Sequence, residues 1–169
     1  CWAASRLMLV PKAPAALATP HFDTRAMGNL LQAARLLWPA VAADPSFFLA
    51  YYHLAQVHDR LYFFGSDHTP ARLALGDNAV AAAQRLRPDS AETHLMVGRH
   101  LYLGYRDYER ARKELALAAR VLPNDPWAVA YIGFMDRRQG RWEEQVQNLN
   151  RPLELDPRNL FLLQELSVS

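Results

Sequence analysis

The chain has 169 residues, half of them apolar and a fifth charged, with a net charge of +2. That length suits one compact domain or about five short helical hairpins. The small net charge, with no basic run longer than two residues, argues against nucleic acid or an anionic membrane as partner. A single cysteine, Cys1, excludes an internal disulfide, and no apolar run reaches membrane-spanning length.

Residues 1–10, CWAASRLMLV, are apolar enough for a helix, and the breaker-rich PKAPAALATP follows. Cys1 is either an arbitrary start of the sequence or the lipid-bearing residue of a processed bacterial lipoprotein. The compartment therefore stays open, with the cytoplasm slightly favoured. From about Asp23 a helix is expected to run to Ala43, with Ala33, Leu37 and Ala40 on its apolar stripe. Pro39 should kink it, because proline removes one backbone hydrogen bond and clashes with the preceding turn. Asp44-Pro45 ends it, so residues 1–45 read as a degenerate N-terminal hairpin.

Residues 46–88 read as a hairpin with an extended turn. Ser46 is expected to cap the helix FFLAYYHLAQVHDRLYF. From Pro45 to Pro88 is 43 residues, nine more than the 34 from Pro123 to Pro157. The surplus lies between Tyr62 and Pro70. Thr69 followed by Pro70 is an N-cap with proline at the first helical position, so the second helix starts there and runs to Arg87. The aromatic tip of Tyr62, Phe63 and Phe64 is expected to pack on the next unit's turn, near Tyr102 and Tyr105; the alternative is an exposed patch for a partner.

Residues 89–123 and 124–157 are two similar lengths laid end to end, with Pro88, Pro123 and Pro157 spaced 35 and 34 apart. Bulky-small pairs recur in the first helices at Leu54-Ala55, Val97-Gly98 and Ile132-Gly133. A glycine inside a helix costs roughly 1 kcal/mol against alanine, so Gly98 and Gly133 imply a close approach by the partner helix. Gly104 and Gly140 suit the turn at a helix C-terminus. Tyr108 and Trp142 open the second helices, and Ala111, Leu115 and Ala118 form one apolar stripe. Gln145 and Pro152 stand where small residues are expected, and Pro152 predicts a bend or an early end. One stripe per helix is too narrow to fold alone and forms a core only by stacking.

Residues 158–169 read as the first helix of a further unit. Leu163 and Leu166 are expected to face inward, with Phe161 and Leu162 pointing elsewhere. The chain stops in mid-repeat, like a piece of a longer array, and either end-to-end pairing of two copies or a swing of the last turns away from the repeat register is expected to hide its apolar end, Phe161 above all.

No chemistry of catalysis stands out. The six histidines include no HExxH pair, the seven glycines build no phosphate loop, and no serine sits in an elbow motif. Glu143-Glu144 opens an exposed helix, where acidic residues suit the dipole. The residues give no case for an enzyme, a metal or a cofactor.

The paired small residues, the turns and the closing prolines resemble the tetratricopeptide repeat, a helix-turn-helix unit of this length. DPSFFLAYYHLAQVHD, RQGRWEE and LELDPRN are similar in particular to repeat arrays of large bacterial multidomain signalling proteins. The resemblance implies an all-α, right-handed superhelix of antiparallel helical hairpins without cofactors. It also implies a concave face, lined by first helices, that binds extended or helical peptides. Carried over residue by residue, that face holds Tyr52, Gln56 and Asp59, then Leu95, Arg99 and Tyr102, then Ala130, Phe134 and Arg137. Aromatics and arginines dominate binding hot spots, which suits peptide recognition. The alternative buries several of these side chains between hairpins. The family's lysine and asparagine clamp for a C-terminal carboxylate does not carry over, because Tyr52, Gln56, Leu95 and Arg99 hold its places. The expected function is a non-catalytic scaffold binding a peptide or partner domain. A structural or self-assembly spacer in a longer signalling protein is the alternative, and small-molecule binding in the groove comes third.

Overall fold

The computed structural model describes residues 24–65 and 67–167. The helix expected over 1–10, the environment of Cys1 and the side chain of Phe161 lie outside the described residues. All regular structure among the described residues is helical: α1 (Thr24–Ala43), α2 (Phe48–Phe64), α3 (Pro70–Leu86), α4 (Ala91–His100), a π turn (Leu101–Tyr105), α5 (Tyr108–Val121), α6 (Pro126–Arg138), α7 (Trp142–Leu155) and α8 (Leu160–Ser167). Helices pack in antiparallel pairs, α2 with α3, α4 with α5 and α6 with α7, while α1 lies on α2 and α8 on α7. This is the expected stack of helical hairpins.

Local capping chemistry sets most helix starts. Thr69 Oγ1 accepts the Arg72 N–H at 3.2 Å with Pro70 at the first helical position. Ser90, Asp107 and Asp125 cap α4, α5 and α6 in the same way. Ser46 does not cap α2. Its N–H and Oγ both donate to Asp44 Oδ1, at 2.9 and 2.6 Å, so Ser46 closes the preceding turn. The helix then opens after Phe47 without a side-chain cap.

The bulky-small pairs mark close helix contacts. A Cβ on Gly98 would lie 2.6 Å from Leu115 Cγ, and one on Gly133 would lie 3.0 Å from Leu149 Cγ. Gly140 takes the left-handed conformation expected of a C-terminal turn, at φ 73°. Gly104 departs from expectation, because it lies inside the π turn and the left-handed residue is Arg106, at φ 55°. The unit from Pro88 to Pro123 carries one residue more than the next, and a π turn absorbs one extra residue without breaking the helix.

Two further expectations need correction. Proline at 152 does not end α7 early; the helix reaches Leu155 and has the same 14 residues as α5. Pro152 sits in the last turn, where its own carbonyl still accepts the Asp156 N–H at 3.0 Å. In α8 the inward pair is Leu162 and Leu166, not Leu163 and Leu166. Leu162 is fully buried and Leu163 is 43% exposed. Asn159 Oδ1 accepts the Leu162 N–H, which fixes the helix start, and residues four apart then share the inner face.

The core has two parts. One lies among α1, α2 and α3 with Met96 of α4, and there Ala34 and Val41 of α1 are buried while Ala33, Leu37 and Ala40 pack at its edge. The other runs from Leu95 through α5, α6 and α7 to Leu162. Val97 touches both, so α4 is the seam between them.

Candidate functional site

The first helix of each hairpin brings an aromatic face to one cleft. The lengthened end of α2 supplies Arg60, Phe63 and Phe64, spaced three and four apart and therefore on one side of the helix. The π turn supplies the adjacent Tyr102 and Leu103, both buried. From α6 come Trp127, Tyr131, Phe134 and Arg138 at intervals of four, three and four, with Arg137 beside them. Together these residues enclose a cleft of about 240 Å³.

Its walls are locked by ring contacts. Phe63 meets Phe64 edge-on at 4.8 Å and Tyr102 at 5.9 Å. Tyr102 meets Tyr131 at 6.1 Å, and Tyr131 meets Phe134 edge-on at 5.7 Å. Such offset and edge-on pairs add specificity to plain apolar burial. Arg138 bridges two hairpins: its Nε donates to Tyr102 Oη at 2.9 Å, and its guanidinium lies 4.9 Å from the Phe63 ring centre. Phe63 thus packs on Tyr102, as expected of the tip. Tyr105 lines a neighbouring pocket with Tyr62 and Phe63 and donates its hydroxyl to Asp77 of α3 at 2.7 Å, which pushes its pKa up to about 12.

A buried ionic group stands at the seam. The carboxylate of Asp59 faces Arg99 Nε at 3.3 Å and His100 Nδ1 at 2.5 Å. His100 Nε2 meets Asp77 Oδ1 at 2.9 Å. Carboxylates accept only, so both ring nitrogens donate and the imidazole is held as its cation. Burial alone would lower the His100 pKa; the bonds and charges of Asp59 and Asp77 outweigh it and raise the pKa above its ordinary value. In the next hairpin the buried Asp136 accepts from Arg112, Arg141 and Asn148 at 2.8, 2.9 and 2.7 Å. It ties α6 to the helices on both sides.

The nine residues named from the sequence fall into separate places. Tyr102, Phe134 and Arg137 line the cleft. Tyr52, Asp59 and Arg99 form a second group, with the Arg99 guanidinium 5.2 Å from the Tyr52 ring centre and both charges buried. Leu95 and Ala130 are core residues. Gln56 is partly buried, and its Oε1 lies 3.4 Å from Nδ1 of the exposed His53. Outside the face expected from the sequence were Arg60, Leu103, Trp127, Tyr131 and Arg138, together with Phe63 and Phe64, which were expected at the hairpin tip. The spacing of Trp127, Tyr131, Phe134 and Arg138 carried a signal, since it traces one helical face.

No protein-family model matches the sequence, and neither does any curated protein. Solved structures do match. TTC0263, a thermophilic TPR protein of Thermus thermophilus, gives a TM-score of 0.67 at 24% identity, over 85% of this chain and 74% of that one. PilF of Pseudomonas aeruginosa gives 0.61 at 22% identity, over 85% and 61%. MamA gives 0.56 at 14% identity, over 85% and 78%. These likenesses, with the paired helices and the small residues at their contacts, establish that the chain has the tetratricopeptide-repeat fold.

Proposed function

We propose that the protein is a non-catalytic interaction scaffold that holds a peptide or partner domain at the cleft of α2, the π turn and α6. In this reading residues 46–88, 89–123 and 124–157 are the repeats, 1–45 a degenerate hairpin and 158–169 the start of another unit. The observation that supports it is the composition of the cleft: aromatics and arginines from three successive hairpins, the residue types that dominate binding hot spots. The test is a peptide-library binding screen with the wild type and a Trp127→Ala/Arg137→Ala variant. Ligands of the cleft should lose at least about tenfold in affinity with the variant. Ligands that bind both proteins equally would remove the cleft from the reading.

A second reading, self-assembly, is favoured by the exposed Leu160 and Leu163 on α8, at 80% and 43%. Light scattering across a concentration range should then show association that Leu160→Glu/Leu163→Glu abolishes. A monomer at every concentration would rule it out.

A further inference from the structure

We infer that the protonated His100 ring is a clasp on the cleft. It bridges Asp59 of α2 and Asp77 of α3, holds the π turn that forms one wall, and releases that wall when it loses its proton.

The π turn is fastened at both ends to one carboxylate. His100, the residue before it, meets Asp77 Oδ1 through Nε2 at 2.9 Å, and Tyr105, its last residue, donates its hydroxyl to the same oxygen at 2.7 Å. The two rings stand edge-on, 5.5 Å apart. Close backbone approaches tighten this joint. A Cβ on Gly76 of α3 would lie 3.0 Å from His100 Cε1, and one on Gly104 would lie 2.7 Å from Leu73 Cδ1 of α3. Between the fastened residues lie Tyr102 and Leu103, which line the cleft. A π turn is rare as local structure, so neighbouring contacts must keep it in place. Asp77 of α3 thus acts on the cleft through the π turn.

The bridge needs the charge on the ring. A carboxylate only accepts, so each ring nitrogen must carry a proton for both contacts to hold, and the neutral ring has one N–H. That N–H stays with Asp59, which is buried away from solvent, whereas the Asp77 side chain is 44% exposed and can turn into water. The bare Nε2 would face a carboxylate, acceptor against acceptor. Asp77 then swings outward and takes with it the acceptor of the Tyr105 hydroxyl.

Among the described residues, the charged and titratable groups facing the ring are Asp59 from α2, Asp77 from α3 and Tyr105 from the π turn. Arg99, next to it in α4, shares the Asp59 carboxylate. Farther out, His58 and Tyr131 interact with Asp59, and Tyr62 with Tyr105. Burial works against the charged ring, but the bonds and charges of Asp59 and Asp77 outweigh it and raise its pKa above the ordinary 6.5. Release therefore comes as pH rises past that value. Tyr105 keeps its proton there, because its bond to Asp77 pushes its pKa up to about 12, and His58, lowered by burial to about 4, is already neutral.

The experiment is NMR on the full chain, with leucine methyls and histidine rings labelled, from about pH 6 to about pH 9. Leu103 sits among the aromatic rings of the cleft, so its methyl shifts report the closed wall. In wild type they should move in one step toward ordinary leucine values, with the same midpoint as the His100 ring. Asp77→Ala and His100→Gln, each first checked for helix content by circular dichroism, should show the moved signal at every pH and no step. If His100 titrates in wild type while the Leu103 signals stay in place, the inference falls. It falls equally if the ring keeps its proton across the range, or if the step persists in His100→Gln or Asp77→Ala. The wild-type titration decides alone where a variant does not fold. None of these outcomes bears on the peptide screen of the cleft, which is run at one pH.

Discussion

The two glycines at the helix contacts differ in what an added methyl group would meet. At Gly98 an added Cβ meets Leu115 Cγ at 2.6 Å and the Ala111 carbonyl oxygen at 3.1 Å, so backbone as well as side chain must move. At Gly133 its nearest neighbours are side-chain atoms of Leu149 at 3.0 Å, which can yield. Gly98→Ala should therefore destabilise by about 1–3 kcal/mol, as overpacking does. Gly133→Ala should stay within about 1 kcal/mol, because better helix propensity offsets the smaller clash. Urea unfolding midpoints check both, and equal effects would show that contact distance does not set the cost. These glycines were legible in the sequence because an unfavourable residue repeated at one place has a local cause. Ser46 was not, since Asp44 two residues earlier competes for the same hydroxyl and N–H.

The elements show where reading the sequence succeeds and where it slips. Thr69-Pro70 was legible as a helix start because capping needs only neighbours in the chain. The inward face of α8 was misread by one position although its loop equals the earlier ones: α6 and α8 each start three residues after the proline, which sets Leu162 at the place of the buried Ala128 and Leu163 at that of Val129. This gives a sharp test of register. Leu162→Ala should cost about 2–5 kcal/mol as a buried truncation, and Leu163→Ala should cost well under 1 kcal/mol. A thermal melt showing the reverse order would put Leu163, not Leu162, on the inner face. The cleft was half legible for a different reason. Tyr102, Phe134 and Arg137 follow from the repeat pattern, while Phe63 and Phe64 come from added length at a turn that the pattern does not describe.

Over the whole molecule, two histidines set opposite limits on stability. His58 is buried against Trp38, and burial, with Arg72 beside it, lowers its pKa to about 4. As pH falls below 6.5 the unfolded chain takes up a proton there that the folded chain refuses, so stability declines toward pH 4, by up to about 3 kcal/mol. His100 acts the other way. Its folded pKa is raised, so its stabilisation is complete below the unfolded value of 6.5 and fades as pH rises through the folded one. Stability should therefore peak near pH 6.5. Chemical denaturation across pH should show His58→Gln flattening the acid limb and His100→Gln flattening the alkaline limb. An acid limb unchanged in His58→Gln would mean that other groups set it.

The π turn at Leu101–Tyr105 makes chain length itself a determinant of the cleft's shape. It presents the buried Tyr102 and Leu103 to the cleft, between the end of α2 and the face of α6. A relative that had lost one residue there would inherit the hairpin, its prolines and its small-residue contacts, yet lack this wall of the cleft. A single-residue deletion can thus remove one wall of the cleft in one step while every residue elsewhere stays the same.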